Sequence, residues 1–243
     1  MISKKLLATA LPAALIWMSC NDLPQAPNID YEPEINVFGL LILNNNQKNV
    51  KLERSYRVTD YFPSAPNRAV TDARVIVRSN DQEVEFKHLF EGNYGDIQDK
   101  LTLKAGYVYQ LDVTLADGRK IFAETTMPSK PQILTPNKGD TLPAFQMLSV
   151  KWQPALFARA YAVTVYAPTG DFEMTVYSED TELTFFGFLF AAPDRYTLKV
   201  SALDENLYDY FRSRRNRDPL LHIEGAIGVF GSMAYQAVQF DAK

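Results

Sequence analysis

The chain has 243 residues, 47% hydrophobic and 22% charged, with a formal net charge of −4. That composition is globular, and one Cys with two His excludes a disulfide framework, a cysteine-rich zinc site or a redox pair within one copy. A net negative chain also lacks the basic surface that phosphate contacts need, so no nucleic-acid partner is expected.

Residues 1–19 read as an export signal. Lys4 and Lys5 form a basic start, and an apolar stretch runs from Leu6 to Met18, broken by Thr9 and Pro12. It is shorter than the roughly 20 apolar residues that cross a bilayer. Ser19 then precedes Cys20, the sole cysteine, and the arrangement resembles a bacterial lipoprotein signal of the loose kind found in Bacteroidota. Trp17 and Met18 depart from the usual pattern. The resemblance implies that the Cys20 thiol carries a diacylglycerol and becomes the first mature residue, so that the membrane is a partner through this lipid. The alternative is an ordinary cleaved signal or an uncleaved anchor helix. Residues 20–33, with Asn21, Asp22, Pro24 and Pro27, cannot bury enough apolar surface to order themselves and are expected to form the lipidated tether. The implied location is the outer membrane, with the periplasmic and surface leaflets both open.

From Glu34 the apolar pattern has period two, which marks half-buried strands. Ile35, Val37 and Gly39 alternate with Asn36 and Phe38, and Asn44 to Asn46 mark a turn. Val75 and Val77, Val84 and Phe86, Leu101 and Leu103, and Val108 to Leu115 continue the pattern. Asp117-Gly118 is a hairpin turn into Lys120–Thr126. Short strands with turns every eight to twelve residues predict an antiparallel sandwich over 34–127. The prolines of 128–131 form the expected linker, and a second sandwich is expected over 132–243.

The second half resembles a fibronectin type III, immunoglobulin-like module. Trp152 closes a strand begun at Leu148, Ala160 to Tyr166 is the next, and Arg195 to Ala202 matches a late Tyr-x-Leu-x-Val strand. The resemblance implies that Trp152 packs between sheets and that Tyr196 forms a tyrosine corner. It implies a fold and no function.

Several motifs together resemble a family of uncharacterised Bacteroidota outer-membrane lipoproteins, often encoded beside TonB-dependent receptors. They are Pro33 to Gly39, Val70 to Val77, Gly92-Asn93-Tyr94, Gly106 to Leu111, Asp117 to Lys120 and Ile223 to Gly231. The first half also resembles prealbumin-like seven-stranded domains. The family resemblance implies a membrane location and a TonB-dependent receptor as partner, and it supplies no catalytic residue.

The candidate sites divide unequally between chemistry and structure. His88 and His222 stand without a nucleophile elbow or a zinc-protease pair, so structural roles are expected and the protein is read as no enzyme. Gly225, Gly228 and Gly231 lie inside a strand pattern, where close backbone packing is expected rather than phosphate binding. Phe186, Phe188 and Phe190 are expected on one buried face, with a sugar-stacking platform as the alternative. Asp204, Glu205 and Asp209 lack the spacing of a Ca²⁺ loop, so neither metal nor cofactor is assigned.

Residues 206–219 are expected as a long loop carrying the candidate binding residues Tyr208, Tyr210, Phe211, Arg212, Arg214, Arg215 and Arg217. Arginines interleaved with aromatics suit an acidic partner, and the alternative is a solvated loop neutralised by its own carboxylates. The functional reading is a non-catalytic binding or accessory module at the outer membrane, docked on a TonB-dependent receptor for nutrient uptake. Its alternative is a structural or adhesive surface protein with spacer domains.

Overall fold

Alternating burial along Ile35–Ile42 (β1) sets the pattern for the body: Ile35, Val37 and Leu41 are buried while Asn36 is exposed. The computed structural model describes residues 32–56, 67–167, 170, 172–216 and 222–243, apart from the side chains of 214–216. Strands dominate, and the fold is all-β. No helix among the described residues is long and apolar enough to cross a membrane.

The first core lies between two layers. β1 pairs with Gln47–Arg54 (β2), which continues to Asn93–Gly95 (β5). The opposite layer joins Arg74–Ser79 (β3) to Val108–Thr114 (β6) and then Lys120–Thr126 (β7). Gln82–Phe90 (β4) belongs to both layers. Its first residues pair with β3, and a register shift between His88 and Phe90 accompanies its pairing with β5. Val37, Leu52, Val75, Leu111 and Ile121 fill the space between.

The second core repeats the plan with different strands. Gln132–Thr135 (β8), Leu148–Gln153 (β10) and Glu182–Phe185 (β13) form one layer. The other contains Ala160–Tyr166 (β11), Glu173–Ser178 (β12) and Asp194–Leu203 (β14). Trp152 is buried between these layers, edge-on to Tyr161 at 5.2 Å. The Tyr196 hydroxyl donates to the Ala192 carbonyl at 3.0 Å, closing the expected tyrosine corner.

A shared strand joins the cores. Ile227–Ala242 (β16) pairs through Ile227–Met233 with Asn36–Ile42, running parallel to it. The same strand then pairs through Met233–Ala242 with Asp194–Leu203 in antiparallel sense. Two of its pairings are therefore parallel, the second with Thr141–Leu142 (β9), where only antiparallel sheets were expected. Ile223–Glu224 (β15) adds to β7 at the edge of the first half. Phe230 is fully buried in the first core and Phe240 in the second. Hence 132–243 does not serve one core alone: its segment 223–233 completes the sandwich begun by 34–127. Local periodicity cannot show this, because a strand's partner is set by long-range pairing.

Close packing explains the glycines of this segment. A Cβ on Gly228, whose φ is +120°, would lie 1.9 Å from the Val37 carbonyl oxygen, and one on Gly231 would lie 2.9 Å from Leu207 Cβ.

Candidate functional site

The described part of the segment expected as a long loop is a helix. Glu205–Asn216 (α1) begins after Asp204, whose carboxylate accepts from the Leu207 amide at 3.0 Å as an N-cap. Leu207, Tyr208 and Phe211 then fall on one face at helical spacing. They pack over Ala160, Ala162, Tyr177 and Met233 of the second half and over Leu40 of β1. The Phe38 and Tyr210 rings approach to 5.9 Å, and those of Tyr177 and Phe211 to 5.3 Å. The helix thus bridges strands of both halves.

The helix turns one of the aromatic residues expected at a binding surface into the core. Tyr208 is 7% exposed, and its hydroxyl donates to Glu179 at 2.7 Å; Tyr210 and Phe211 are half-buried. Arg212 is exposed and lies 5.5 Å above the Tyr208 ring. The side chains of Arg214 and Arg215, and all of Arg217, lie outside the described residues, as does Cys20.

Asp204 does not neutralise the arginines. It is 3% exposed at the point where β7, α1 and β16 meet. Thr125 donates to Asp204 at 2.5 Å and lies 2.7 Å from the Ser232 hydroxyl, which donates onward to the Thr126 carbonyl. Asn206 donates to the carbonyls of Glu124 and Phe230 at 2.6 and 2.9 Å. Burial pushes the Asp204 carboxyl up to about 6, against the lowering effect of the Thr125 and Leu207 hydrogen bonds. This network ties the halves together by polar contacts as α1 does by apolar ones. Asp204 three residues before Leu207 is the start signal that would have revealed both.

A cleft of about 660 Å³ opens beside the network, walled by Phe122, Phe157, Glu205, His222 and Glu224. Its Arg159 is already paired with Glu179 at 2.9 Å and lies over the Tyr208 ring at 5.2 Å. His222 Nε2 lies 2.9 Å from Asp209, tying α1 to the segment before β15. His88 is exposed and meets the Tyr94 ring edge at 5.4 Å.

The phenylalanine run also departs from expectation. Gly187–Phe190 is a 3-10 helix, so alternation fails and the rings divide. Phe185 and Phe190 are buried, whereas Phe186 and Phe188 are exposed and stacked at 5.9 Å with planes 12° apart. Phe145 and Met147 are exposed as well. Phe145 lies directly beneath this turn, since a Cβ on Gly187 would sit 1.8 Å from its carbonyl oxygen.

Residues 23–237 match the model of a family described as a domain of unknown function, DUF4249. The chain belongs to this family. The DUF4249 match spans both cores, including the shared strand as far as Ala237, and indicates no catalytic family. A comparison with curated protein sequences gives no match. Among solved structures, the DUF4249 chain is similar to a two-module fibronectin type III segment of chicken tenascin. Identity there is 15%, covering 71% of this chain and 91% of the other, with a TM-score of 0.28. It is also similar to fibronectin(III)-like modules of CbhA from Clostridium thermocellum. That likeness is 11% identical, covers 86% and 94%, and has a TM-score of 0.30.

Proposed function

We propose that this protein is a non-catalytic accessory module held at the outer membrane through a lipid on Cys20, where it binds a TonB-dependent receptor in nutrient uptake. The observation that carries this reading is the position of the lone cysteine. It ends the apolar leader and stands fifteen residues ahead of the first strand, behind a Pro-containing polar segment. Several acyl chains on one cysteine anchor stably, since each buried methylene contributes about 0.8 kcal/mol. The all-β body behind that tether supports a binding role, because rigid sheets present exposed groups in fixed positions.

Metabolic labelling tests the anchor. Cells supplied with a clickable fatty acid should yield labelled protein, and Cys20→Ala should remove the label. Equal labelling of the Cys20→Ala chain would overturn the lipid assignment.

A further inference from the structure

The end of β16 farthest from Ile227 carries exposed hydrocarbon that folding does not require. Phe145, Met147, Phe186 and Phe188 are 68%, 60%, 60% and 68% exposed. Phe190 already holds their turn, buried against Tyr196 at 5.3 Å and Phe240 at 5.7 Å. Phe145 has a φ of +61°, a backbone conformation that bulky residues rarely adopt. The Ala144 amide donates to the Lys243 carbonyl at 2.7 Å, which fixes this group at the end of the shared strand.

The chemistry of the patch is narrow. Residues 143–148 and 185–193 contain no charged side chain, and Gln146 is their single polar one. Their turns satisfy backbone groups internally, Gln146 donating to Pro143 at 3.0 Å and Leu189 to Phe186 at 3.1 Å. Of the charges nearby, Lys151 pairs with Glu182 at 2.9 Å and Arg195 with Asp241 at 3.1 Å. A sugar would need partners for its hydroxyls, and an ionic ligand would need a counter-charge. Hydrocarbon needs neither.

We propose that this tip inserts Phe145, Phe186 and Phe188 into the interfacial region of a lipid bilayer, giving the chain a second attachment besides its anchor. Chain length permits it. Cys20 to Glu34 spans fifteen residues, a reach of about 50 Å when extended. The sixteen residues of β16 have a contour of about 50 Å from the Ile35 end to the tip. A body tethered at that end can lie with its far end on the same membrane. The reach argument rests on the anchoring proposed above; the insertion chemistry does not.

The test uses the mature chain, residues 20–243, with Cys20→Ser, so that neither lipid nor thiol remains. It should float with vesicles of palmitoyl-oleoyl phosphatidylcholine and phosphatidylethanolamine, equally at low and molar salt. The triple variant Phe145→Ser, Phe186→Ser, Phe188→Ser should bind at least about tenfold less while melting within a few degrees of the parent. As a second readout, Gln146→Cys carries an environment-sensitive dye, whose emission should shift to the blue on adding vesicles and be quenched by spin-labelled lipid. Failure to float, a dye that stays in water, or undiminished binding by the triple variant would each overturn the proposal. So would self-association, or binding of a neutral oligosaccharide, that the triple variant loses while vesicles are ignored. None of these outcomes touches fatty-acid labelling of Cys20, so the two readings fail separately.

Discussion

Phe230→Ala should lower the unfolding transition reported by Trp152, although the two side chains lie in different cores. Phe230 is fully buried in the first core, and truncating such a ring costs about 3–5 kcal/mol. Trp152 is buried in the second core and is the sole tryptophan once residues 1–19 are absent. Independent domains would leave its fluorescence transition in place. Here β16 pairs with β1 and then with β14, and α1 packs over Leu40 as well as over Ala160 and Ala162. Loss of the first core removes the partner of half of β16 and uncovers the helix. The fluorescence and far-ultraviolet circular dichroism transitions of Phe230→Ala should therefore shift together. A fluorescence midpoint unchanged from the parent would show that the second core stands without the first.

Asp204→Ala is expected to cost about 2 kcal/mol, because it removes an N-cap and the buried hydrogen bond from Thr125, whose hydroxyl is left with Ser232 alone. Asp204→Asn should behave in the opposite way at neutral pH. Its amide can donate to Thr125, which can then donate to Ser232, so the chain of hydrogen bonds survives without a buried charge. The sign of the pH effect follows from the raised carboxyl, driven by burial up to about 6. The folded protein holds this proton more tightly than the unfolded chain. The resulting stabilisation is complete below the unfolded carboxyl's value of 3.8 and is lost as pH rises through about 6. Relative to Asp204→Asn, the parent should gain about 2 kcal/mol between pH 7.5 and 4.5. Glu85, Asp117 and Glu179 act oppositely, because hydrogen bonds from Lys87, Arg119 and Arg159 hold their carboxyls low. They are common to both chains and cancel in the difference. Denaturant titrations at the two pH values measure it, and parallel profiles would remove Asp204 as the source.

Strand composition was legible because period-two burial is a local property. Val37, Leu111, Trp152 and Tyr196 lie where alternation and spacing place them. The route of β16 was not legible, since Ile223 to Phe230 reads as a closing strand whichever core receives it. Basic charge and aromatics dominate 206–219 and mask the helical spacing of Leu207, Tyr208 and Phe211. Alternation extended over Phe186 and Phe188 puts both on a buried face, but the segment coils as a 3-10 helix over Gly187–Phe190. The loss of period is a consequence of tertiary placement: Gly187 must rest on the Phe145 backbone, and the neighbouring rings then turn outward.

Purification from native membranes tests the proposed role of a membrane-held, non-catalytic module that serves a receptor. The tagged protein, extracted in mild detergent from cells that express it at its natural level, should bring down a TonB-dependent receptor in stoichiometric amount. Cys20→Ala should reduce that recovery by releasing the protein from the membrane. Binding to matrix or host polymer with no receptor in the complex would contradict the accessory role and identify the chain as an adhesive spacer.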